Sequence, residues 1–290
     1  MHAEKEDRRF DLLISVEGKS GAVFEDWEEI SFYKPEQISE TDIPAPSVLD
    51  PSGNLSEWLR AKKIRHHLLN SSMDWKGGNG AWLVIAPNAL RDGGEIRKLA
   101  EALQKGGSIL VLEHNELPDL TAASLTTLKY GSVGVYPRFT PESPLYGIMT
   151  PADLRFWNTE DNDFQTVSRM IKLPTRGNFR ILAEGAYEDG IKSMSAALLD
   201  CGVGKGVVRY CQFNLTRSLG REPAADRLLA ALLSHPPKPF GKPGRAVLAG
   251  TEGRRLLSGR TGVTGFAKSF RELNFSDLRN LVCDRESFSS

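Results

Sequence analysis

Two short runs of apolar residues constrain the fold of this chain more than any other feature. Residues 81–86 read Ala-Trp-Leu-Val-Ile-Ala and residues 108–112 read Ser-Ile-Leu-Val-Leu, with no polar alternation. Such runs are typical of strands buried on both faces of a parallel sheet. Between them, Ile96, Leu99 and Leu103 lie at helical spacing. The order strand, helix, strand predicts an α/β fold: a three-layer, doubly wound, mostly parallel sheet.

The same alternation continues on both sides of this region. Upstream, residues 47–49 form a predicted strand, Asn54 is predicted to cap a helix, and residues 64–69 are a second strand candidate. Downstream, strands are predicted at 179–183, and a closing helix is predicted at 221–233.

A glycine-rich segment, residues 202–206, separates predicted strands at 195–199 and 207–213. We expect these strands to form a hairpin at the edge of the sheet. The segment differs from a phosphate-binding loop, because it lies between strands and has no hydroxyl residue after Lys205.

The ends of the chain have patterns of their own. Residues 10–16 and 21–33 predict an antiparallel strand pair. Near the C-terminus, strands are predicted at 245–249 and 281–284, with helices between them at 253–257 and 276–280. The predicted organisation begins with a strand pair at residues 1–34 and a linker at 35–46. An α/β domain follows at 47–235, then a Pro-rich linker at 236–244 and the truncated start of a second α/β domain at 245–290.

Composition excludes several classes of function. Lys plus Arg total 37 and Asp plus Glu total 37, so the formal net charge is +0 and gives no field that favours nucleic acid or an anionic membrane. No apolar run in the sequence reaches the roughly 20 residues of a membrane helix. Residues 1–9 are charged and lack the apolar core of a signal peptide. The sequence does not indicate a compartment, and we predict no nucleic-acid or membrane partner.

The three cysteines, Cys201, Cys211 and Cys283, form no C-x-x-C pair. With the five histidines they give no zinc-ligand spacing. We therefore expect free thiols, no disulfide framework, no metal site and no cofactor.

The segment from Gly204 to Thr216 reads Gly-Lys-Gly-Val-Val-Arg-Tyr-Cys-Gln-Phe-Asn-Leu-Thr. It resembles the end of a class I glutamine amidotransferase domain, where a strand runs into Gln-Phe-His-Pro-Glu before a closing helix. Asn214 stands at the position of that family's catalytic His, and Thr216 at the position of the Glu that orients it. An amide and a hydroxyl cannot act as base and orienting carboxylate, so the resemblance implies a scaffold whose catalytic triad is lost.

The turn after residues 109–112 is where that family places its nucleophile, but here it reads Glu113-His114-Asn115. It has no Cys, no Ser and no glycine, so we predict no catalytic residue. Glu113 and His114 follow a central strand, the usual place for ligand contacts in an open sheet. With Asn214 they are a vestigial polar cluster, a ligand-binding site, or, through His114, a general base without a partner nucleophile.

Two tryptophans are candidates for contact with a sugar. Trp75 lies in a polar loop and is the strongest candidate for a surface contact, whereas Trp157 is interpreted first as packed against the sheet, beside Phe156. The acidic residues 160–163 are interpreted as solvated surface.

Taken in order, the motifs of residues 46–235 resemble the amidotransferase-like domain of family 2, β-galactosidase-like glycoside hydrolases, a flavodoxin-like fold. Segments that carry this likeness include 50–53, 106–114, 153–157 and 204–214. The resemblance implies an accessory module without catalysis, attached to the other domains of a larger enzyme that hydrolyses O-glycosidic bonds. It also implies that the N-terminal strands belong to a preceding β-sandwich. A related fold in family 42 β-galactosidases serves trimerisation, which supports a structural role by analogy. A homo-oligomer is one of the expected partners. Two alternatives stay open: a sugar-binding module, or a small hydrolase that uses His114 and Glu113.

Overall fold

The computed structural model describes residues 8–17, 19, 23–32, 43–90, 92–121, 125–129, 137–155, 157, 165–174, 177–186, 194–240, 247–249, 265–266 and 281–283. The chain divides into two compact units, Met1–Pro239 and Phe240–Ser290. Most of the predicted linker at 35–46, Phe156, the acidic residues 160–163 and both C-terminal helices lie outside the described residues.

The first unit alternates strands and helices through most of its length. Its elements in chain order are β1 (Arg8–Glu17), β2 (Val23–Phe32), β3 (Ser47–Leu49), α1 (Asn54–Ala61), β4 (His67–Leu68), β5 (Trp82–Ile85), α2 (Gly93–Gln104), β6 (Ser108–Val111), β7 (Thr127–Lys129), β8 (Arg138–Phe139), β9 (Arg169–Lys172), β10 (Phe179–Ala186), β11 (Met194–Val203), β12 (Gly206–Cys211), α3 (Leu215–Ser218) and α4 (Pro223–Ser234). Short 3₁₀ turns occur at Ser72–Asp74 and Ala152–Leu154.

The main sheet has ten strands, eight of them in the order β4-β3-β5-β6-β12-β11-β10-β8. Strands β4, β3, β5, β6 and β12 run parallel to one another, and the strands beyond β12 pair in antiparallel fashion. Strand β9 pairs with β11 and β7, off the main path. The predicted α/β class with a mostly parallel sheet is confirmed, and the sheet is mixed because one antiparallel half is joined to one parallel half.

Helices cover both faces of the sheet. Val84 and Leu110 face the same cluster as the apolar residues of α1 and α4. Leu83 and Ile109 face the opposite cluster, which includes Leu99 of α2. Neighbouring residues on a strand point to opposite faces, so the unbroken apolar runs supply two cores at once. This arrangement is the predicted three-layer architecture.

The hairpin of β11 and β12 is correctly predicted as a hairpin but wrongly placed at the edge. Strand β12 pairs with β6 on its other side, and β11 pairs with β10, so the hairpin lies inside the sheet. Its side chains explain the position, because Leu198, Leu199, Val207 and Val208 are all fully buried. Gly206 packs so closely on α2 that a Cβ atom there would collide with the carbonyl of Leu103.

The predicted cap of α1 is also wrong. Gly53, with φ of 83°, occupies the cap position, and Asn54 is the first helical residue. The Asp50 carboxylate takes the capping role from outside the helix: its Oδ2 accepts from the backbone N–H and the hydroxyl of Ser56 at 2.8 and 3.0 Å. A carboxylate close to the first turn is also favoured by the helix dipole.

The N-terminal strands pair as predicted, with Arg8 opposite Phe32 and Glu17 opposite Val23 in an antiparallel register. Phe24 and Trp27 are both exposed to more than half of their surface. In the second unit, β13 (Val247–Ala249) pairs in parallel with β14 (Gly265–Phe266) and β15 (Leu281–Cys283). Strands β13 and β15 match the two predicted there.

No helix within the described ranges has both the length and the hydropathy required to cross a membrane.

Candidate functional site

Glu113 follows β6 and reaches the start of α3. Its Oε1 accepts hydrogen bonds from the backbone N–H and the hydroxyl of Thr216, at 3.0 and 2.8 Å. Its Oε2 is buried and has no partner among the described residues. Burial raises the pKa of Glu113 to about 7, although the two hydrogen bonds from Thr216 oppose that shift. Near neutral pH this carboxyl group therefore exists in both protonation states.

His114 is fixed by its backbone as well as by its ring. Its N–H donates to Oε1 of Gln212 and its carbonyl accepts from Nε2 of the same amide, both at 3.0 Å. The ring Nδ1 lies 2.5 Å from the carbonyl oxygen of Leu112. A carbonyl only accepts, so Nδ1 carries the proton and Nε2 presents a lone pair.

The environment of the His114 ring keeps it neutral. The residue is 2% exposed, and burial lowers its pKa below the ordinary value for histidine. Within the described part of the chain, no group bonds to its buried Nε2. His114 is thus a rigidly held hydrogen-bond acceptor.

Asn214 has a separate set of partners. Its Nδ2 donates to the carbonyl of Gln165 at 2.8 Å, and its Oδ1 accepts from the Ser168 hydroxyl at 3.1 Å. Its backbone N–H donates to the carbonyl of Thr166 at 2.8 Å. The residue is 1% exposed and stands at the start of α3. The Asn214 amide therefore ties the β12–α3 junction to the segment before β9.

The three predicted site residues are brought to the same sheet edge, but they make different contacts. Glu113 bonds to Thr216, His114 to Gln212, and Asn214 to Ser168 and Gln165. Thr216 and Gln212 are contacts that the sequence pattern did not reveal. Thr216 stands where the resembled family has an orienting Glu. The carboxylate of Glu113, which follows β6, lies near that position because it accepts hydrogen bonds from Thr216.

Both cysteines of this unit are poor nucleophiles. Cys201 and Cys211 are buried free thiols. Burial raises the pKa of Cys201 to about 12 and that of Cys211 still further, with the nearby Glu113 charge contributing at Cys211. Since the thiolate is the reactive form, neither is primed for acyl transfer. Among the residues that the structure describes, no cluster of three or more His, Cys, Asp or Glu is arranged to hold a metal ion.

Neither candidate tryptophan presents a face to solvent. The prediction that Trp75 lies on the surface is wrong: it is 6% exposed, because the 3₁₀ turn before it folds its indole over the backbone at Gly107. Trp157 is fully buried, donates from Nε1 to the carbonyl of Asp153 at 2.8 Å, and stacks on Phe213 with 5.8 Å between ring centroids. Both indoles serve packing in this conformation.

A cavity of about 410 Å³ lies beside His114 at the carboxyl ends of β5 and β6. Its lining comprises Asn88, Leu90, Ile96, His114, Asn115, Glu116, Leu117 and Pro118. Glu113 and Asn214 are not among these residues. The lining residues that lie between β5 and α2 were not identified from the sequence. A signal for one of them was present, because Asn88 follows Pro87 directly after a buried strand. The Asn88 side chain connects the segment after β5 to the segment after β6, since its Oδ1 accepts a hydrogen bond from the N–H of Asn115 at 3.0 Å.

No protein-family model and no curated protein matches the chain. Solved structures to which the chain is similar include an exo-β-1,4-mannosidase from Opitutaceae bacterium strain TAV5, with 16% identity over 64% of this chain and 30% of that one, at a TM-score of 0.37. A carbohydrate deacetylase has 11% identity over 71% of this chain and 34% of that one, at 0.41. A putative GMP synthase protein from Thermoplasma acidophilum has 10% identity over 66% of this chain and 94% of that one, at 0.38. The chain spans about a third of the first two proteins. TM-scores this low assign no activity to this chain.

Proposed function

We propose that the first unit is a non-catalytic, amidotransferase-like module with an accessory or assembly role in a carbohydrate-degrading glycoside hydrolase. The observation that carries this proposal is the buried Asn214 amide, held by Ser168 and Gln165 at the position where the resembled family has its catalytic base. An amide cannot take up a proton from a nucleophile at neutral pH.

The surroundings support the absence of acyl transfer. The position of the nucleophile is occupied by Glu113 and His114, whose contacts lead in different directions. The two thiols of this unit are buried, with raised pKa values. Every part of the triad is therefore replaced by a group with a packing or hydrogen-bonding role.

The link to carbohydrate breakdown depends on the order of the sequence motifs that resemble family 2 glycoside hydrolases. Under this proposal, other domains of the parent enzyme hydrolyse the O-glycosidic bond, and this module contributes to folding or assembly. Homo-oligomerisation is one form of that role, and light scattering coupled to gel filtration measures it directly.

Enzymatic assays of the full chain test the proposal. We expect no ammonia release from glutamine and no nitrophenol release from nitrophenyl glycosides above a heat-denatured sample. Turnover that His114→Ala abolishes in a folded protein would instead establish the alternative, a small hydrolase that uses His114 and Glu113. Calorimetric titration with oligosaccharides examines the sugar-binding alternative, for which the buried Trp75 and Trp157 offer no stacking surface.

A further inference from the structure

The N-terminal hairpin exposes apolar side chains along its length. Strands β1 and β2 pair with each other, and neither pairs with a third strand among the described residues. Its large apolar side chains are between 45% and 65% exposed: Leu12, Leu13, Ile14, Val16, Phe24 and Trp27. A sheet of two strands is marginally stable in water, and exposed apolar patches of this kind mark surfaces that contact another protein. The hairpin therefore has the features of an incomplete sheet.

The register of the hairpin collects most of these side chains on one face. Phe24 lies opposite Val16 in the antiparallel register, and Trp27 lies opposite Leu13. Residues directly opposite each other share a face, and so does every second residue along a strand. One face therefore carries Leu12, Ile14, Val16 and Phe24. A strand added at the outer edge of β1 would extend this apolar face.

The charges along the two strands decide which edge can pair with a copy of itself. The acidic residues of β2 lie in its middle, at Glu25, Asp26, Glu28 and Glu29. Antiparallel pairing of two β2 strands about their centre would place like charges opposite each other, which is destabilising. Strand β1 instead has Arg9 near its start and Glu17 at its end. Antiparallel pairing of two β1 strands brings these opposite charges together.

A register centred on Leu13 pairs those charges directly. A twofold axis perpendicular to the sheet at Leu13 places Arg9 opposite Glu17 of the second copy, and the symmetry makes this pair twice. Centred on Leu12, the axis would place Arg9 opposite Ser15. Opposite charges across neighbouring strands are stabilising, so the register centred on Leu13 is favoured.

The same register joins the two apolar faces. Leu12 lies opposite Ile14 of the second copy, and Phe10 lies opposite Val16. Both pairs are on the face that carries Phe24, so the two faces merge into one apolar surface on a four-stranded sheet. A sheet of three or more strands with an apolar face reaches the size at which sheets become independently stable.

We propose that the outer edge of β1 pairs in antiparallel fashion with β1 of a second copy of this chain, forming a twofold dimer centred on Leu13. The paired segment has about nine residues from each copy, fewer than the roughly 20–30 of a standard interface, so we expect a dissociation constant on the order of 10 µM. The dimer deepens the assembly role of the proposed function and rests on that role for its purpose. Its test is separate, because a monomer without turnover would refute the dimer alone, and a dimer with turnover would refute the inert module alone.

Sedimentation velocity of the full chain between about 1 and 200 µM tests the proposal. We expect a monomer–dimer equilibrium that Arg9→Glu or Glu17→Arg weakens roughly tenfold, because each change acts at two symmetric positions. The double variant Arg9→Glu with Glu17→Arg exchanges the two charges and should restore the affinity of the parent. Arg97→Glu, the same reversal at an exposed site on α2, is the matched control and should leave the equilibrium unchanged.

Three outcomes of that experiment would overturn the proposal. They are a chain that stays monomeric up to about 200 µM, a stoichiometry other than two, and a double variant that dimerises no more tightly than the single ones.

Cysteine cross-linking locates the axis. The background is Cys283→Ser, since Cys201 and Cys211 are buried. Leu13→Cys would place two thiols directly opposite each other, so mild oxidation should give a disulfide-linked dimer. Lys19→Cys, exposed in the same hairpin, would lie roughly 40 Å from its counterpart and should not cross-link. Cross-linking by Trp27→Cys in place of Leu13→Cys would show pairing through β2 and refute the proposal.

Discussion

Arg209 and Asp200 face each other across the β11–β12 hairpin as a buried, bidentate ion pair. The guanidinium Nε and Nη2 donate to Oδ1 and Oδ2 of the carboxylate at 2.7 and 3.0 Å, and the two side chains are 2% and 1% exposed. The third nitrogen, Nη1, donates to the carbonyl of His235 after α4, at 2.7 Å. One cation thus joins two strands and the end of the closing helix.

Asp200→Asn is expected to lower the free energy of unfolding of the first unit by about 3–5 kcal/mol, because it leaves the Arg209 charge buried without a counter-charge. Urea unfolding followed by tryptophan fluorescence measures this, since all five tryptophans lie in the first unit. The double variant Asp200→Leu with Arg209→Met should be less destabilised than Asp200→Asn. A single variant within about 1 kcal/mol of the parent would show that the pair contributes little.

Ser108→Ala is expected to destabilise the first unit by about 1–2 kcal/mol. The Ser108 hydroxyl donates to the carbonyl of Pro237 at 2.6 Å, and its loss leaves that buried bond unmade. Ser234→Ala is the matched control: its hydroxyl bonds within α4, to the carbonyl of Ala230, and its loss should change stability by less than about 0.5 kcal/mol. Equal effects of the two substitutions would contradict a role for Ser108 in fixing the segment after α4.

Glu113→Gln is expected to change the pH dependence of stability. The folded pKa of Glu113, about 7, lies above the ordinary value of 4.5, so the folded state holds the proton more tightly. The resulting stability is fully present below pH 4.5 and is lost as the pH rises through 7. The Gln variant cannot ionise, so at pH 8 it should exceed the parent by up to about 3 kcal/mol, with little difference at pH 4.5.

Denaturant unfolding at the two pH values makes that comparison, and Glu116→Gln, an exposed carboxylate, is the control. A Glu113→Gln protein that is destabilised equally at both pH values would show that the shape of the group matters and its charge does not. His114 contributes in the opposite direction, because its pKa is lowered by burial and its stability contribution is lost as the pH falls.

Asn214→His, alone or with Thr216→Glu, is expected to restore no activity. It removes the bonds to Gln165 and Ser168 and should cost about 2 kcal/mol or more of stability. Ammonia release from glutamine and denaturant unfolding measure both effects. Gln165 accepts through its backbone, so Ser168→Ala serves as the milder control, losing one of the two bonds. Glutaminase activity in the Asn214→His protein would contradict the loss of the triad.

The local parts of the fold could be predicted from sequence because each depends on neighbouring residues. The runs that form β5 and β6 and the helical spacing of α2 lie within about 30 residues, and all three elements are found where the pattern predicts them. The interior position of β12 could not be predicted this way, because it depends on pairing with β6, a strand far away in sequence. The prediction for Trp75 is wrong for a similar reason: its polar neighbours hide the contact of its ring with Gly107.

In the candidate site, too, the sequence predicted the local features but not the contacts between residues that are distant in sequence. Sequence placed Glu113 and His114 at the end of a central strand, which is where they lie. The sequence could not show that Glu113 would hydrogen-bond to Thr216 and His114 to Gln212. Nor could it show that Asn88 would hydrogen-bond to Asn115 in the lining of the cavity. These contacts join segments that only the completed sheet brings together.

The pairing of β6 with β12 also has a consequence for biosynthesis. Ser108 of β6 meets Val207 of β12, so the parallel half of the sheet has an unpaired, apolar edge until the ribosome has delivered the hairpin. Non-local pairing of this kind slows folding, and an open edge of apolar strand invites pairing with other chains. We therefore expect nascent chains that lack β12 to expose this edge and to aggregate more readily than chains that contain it.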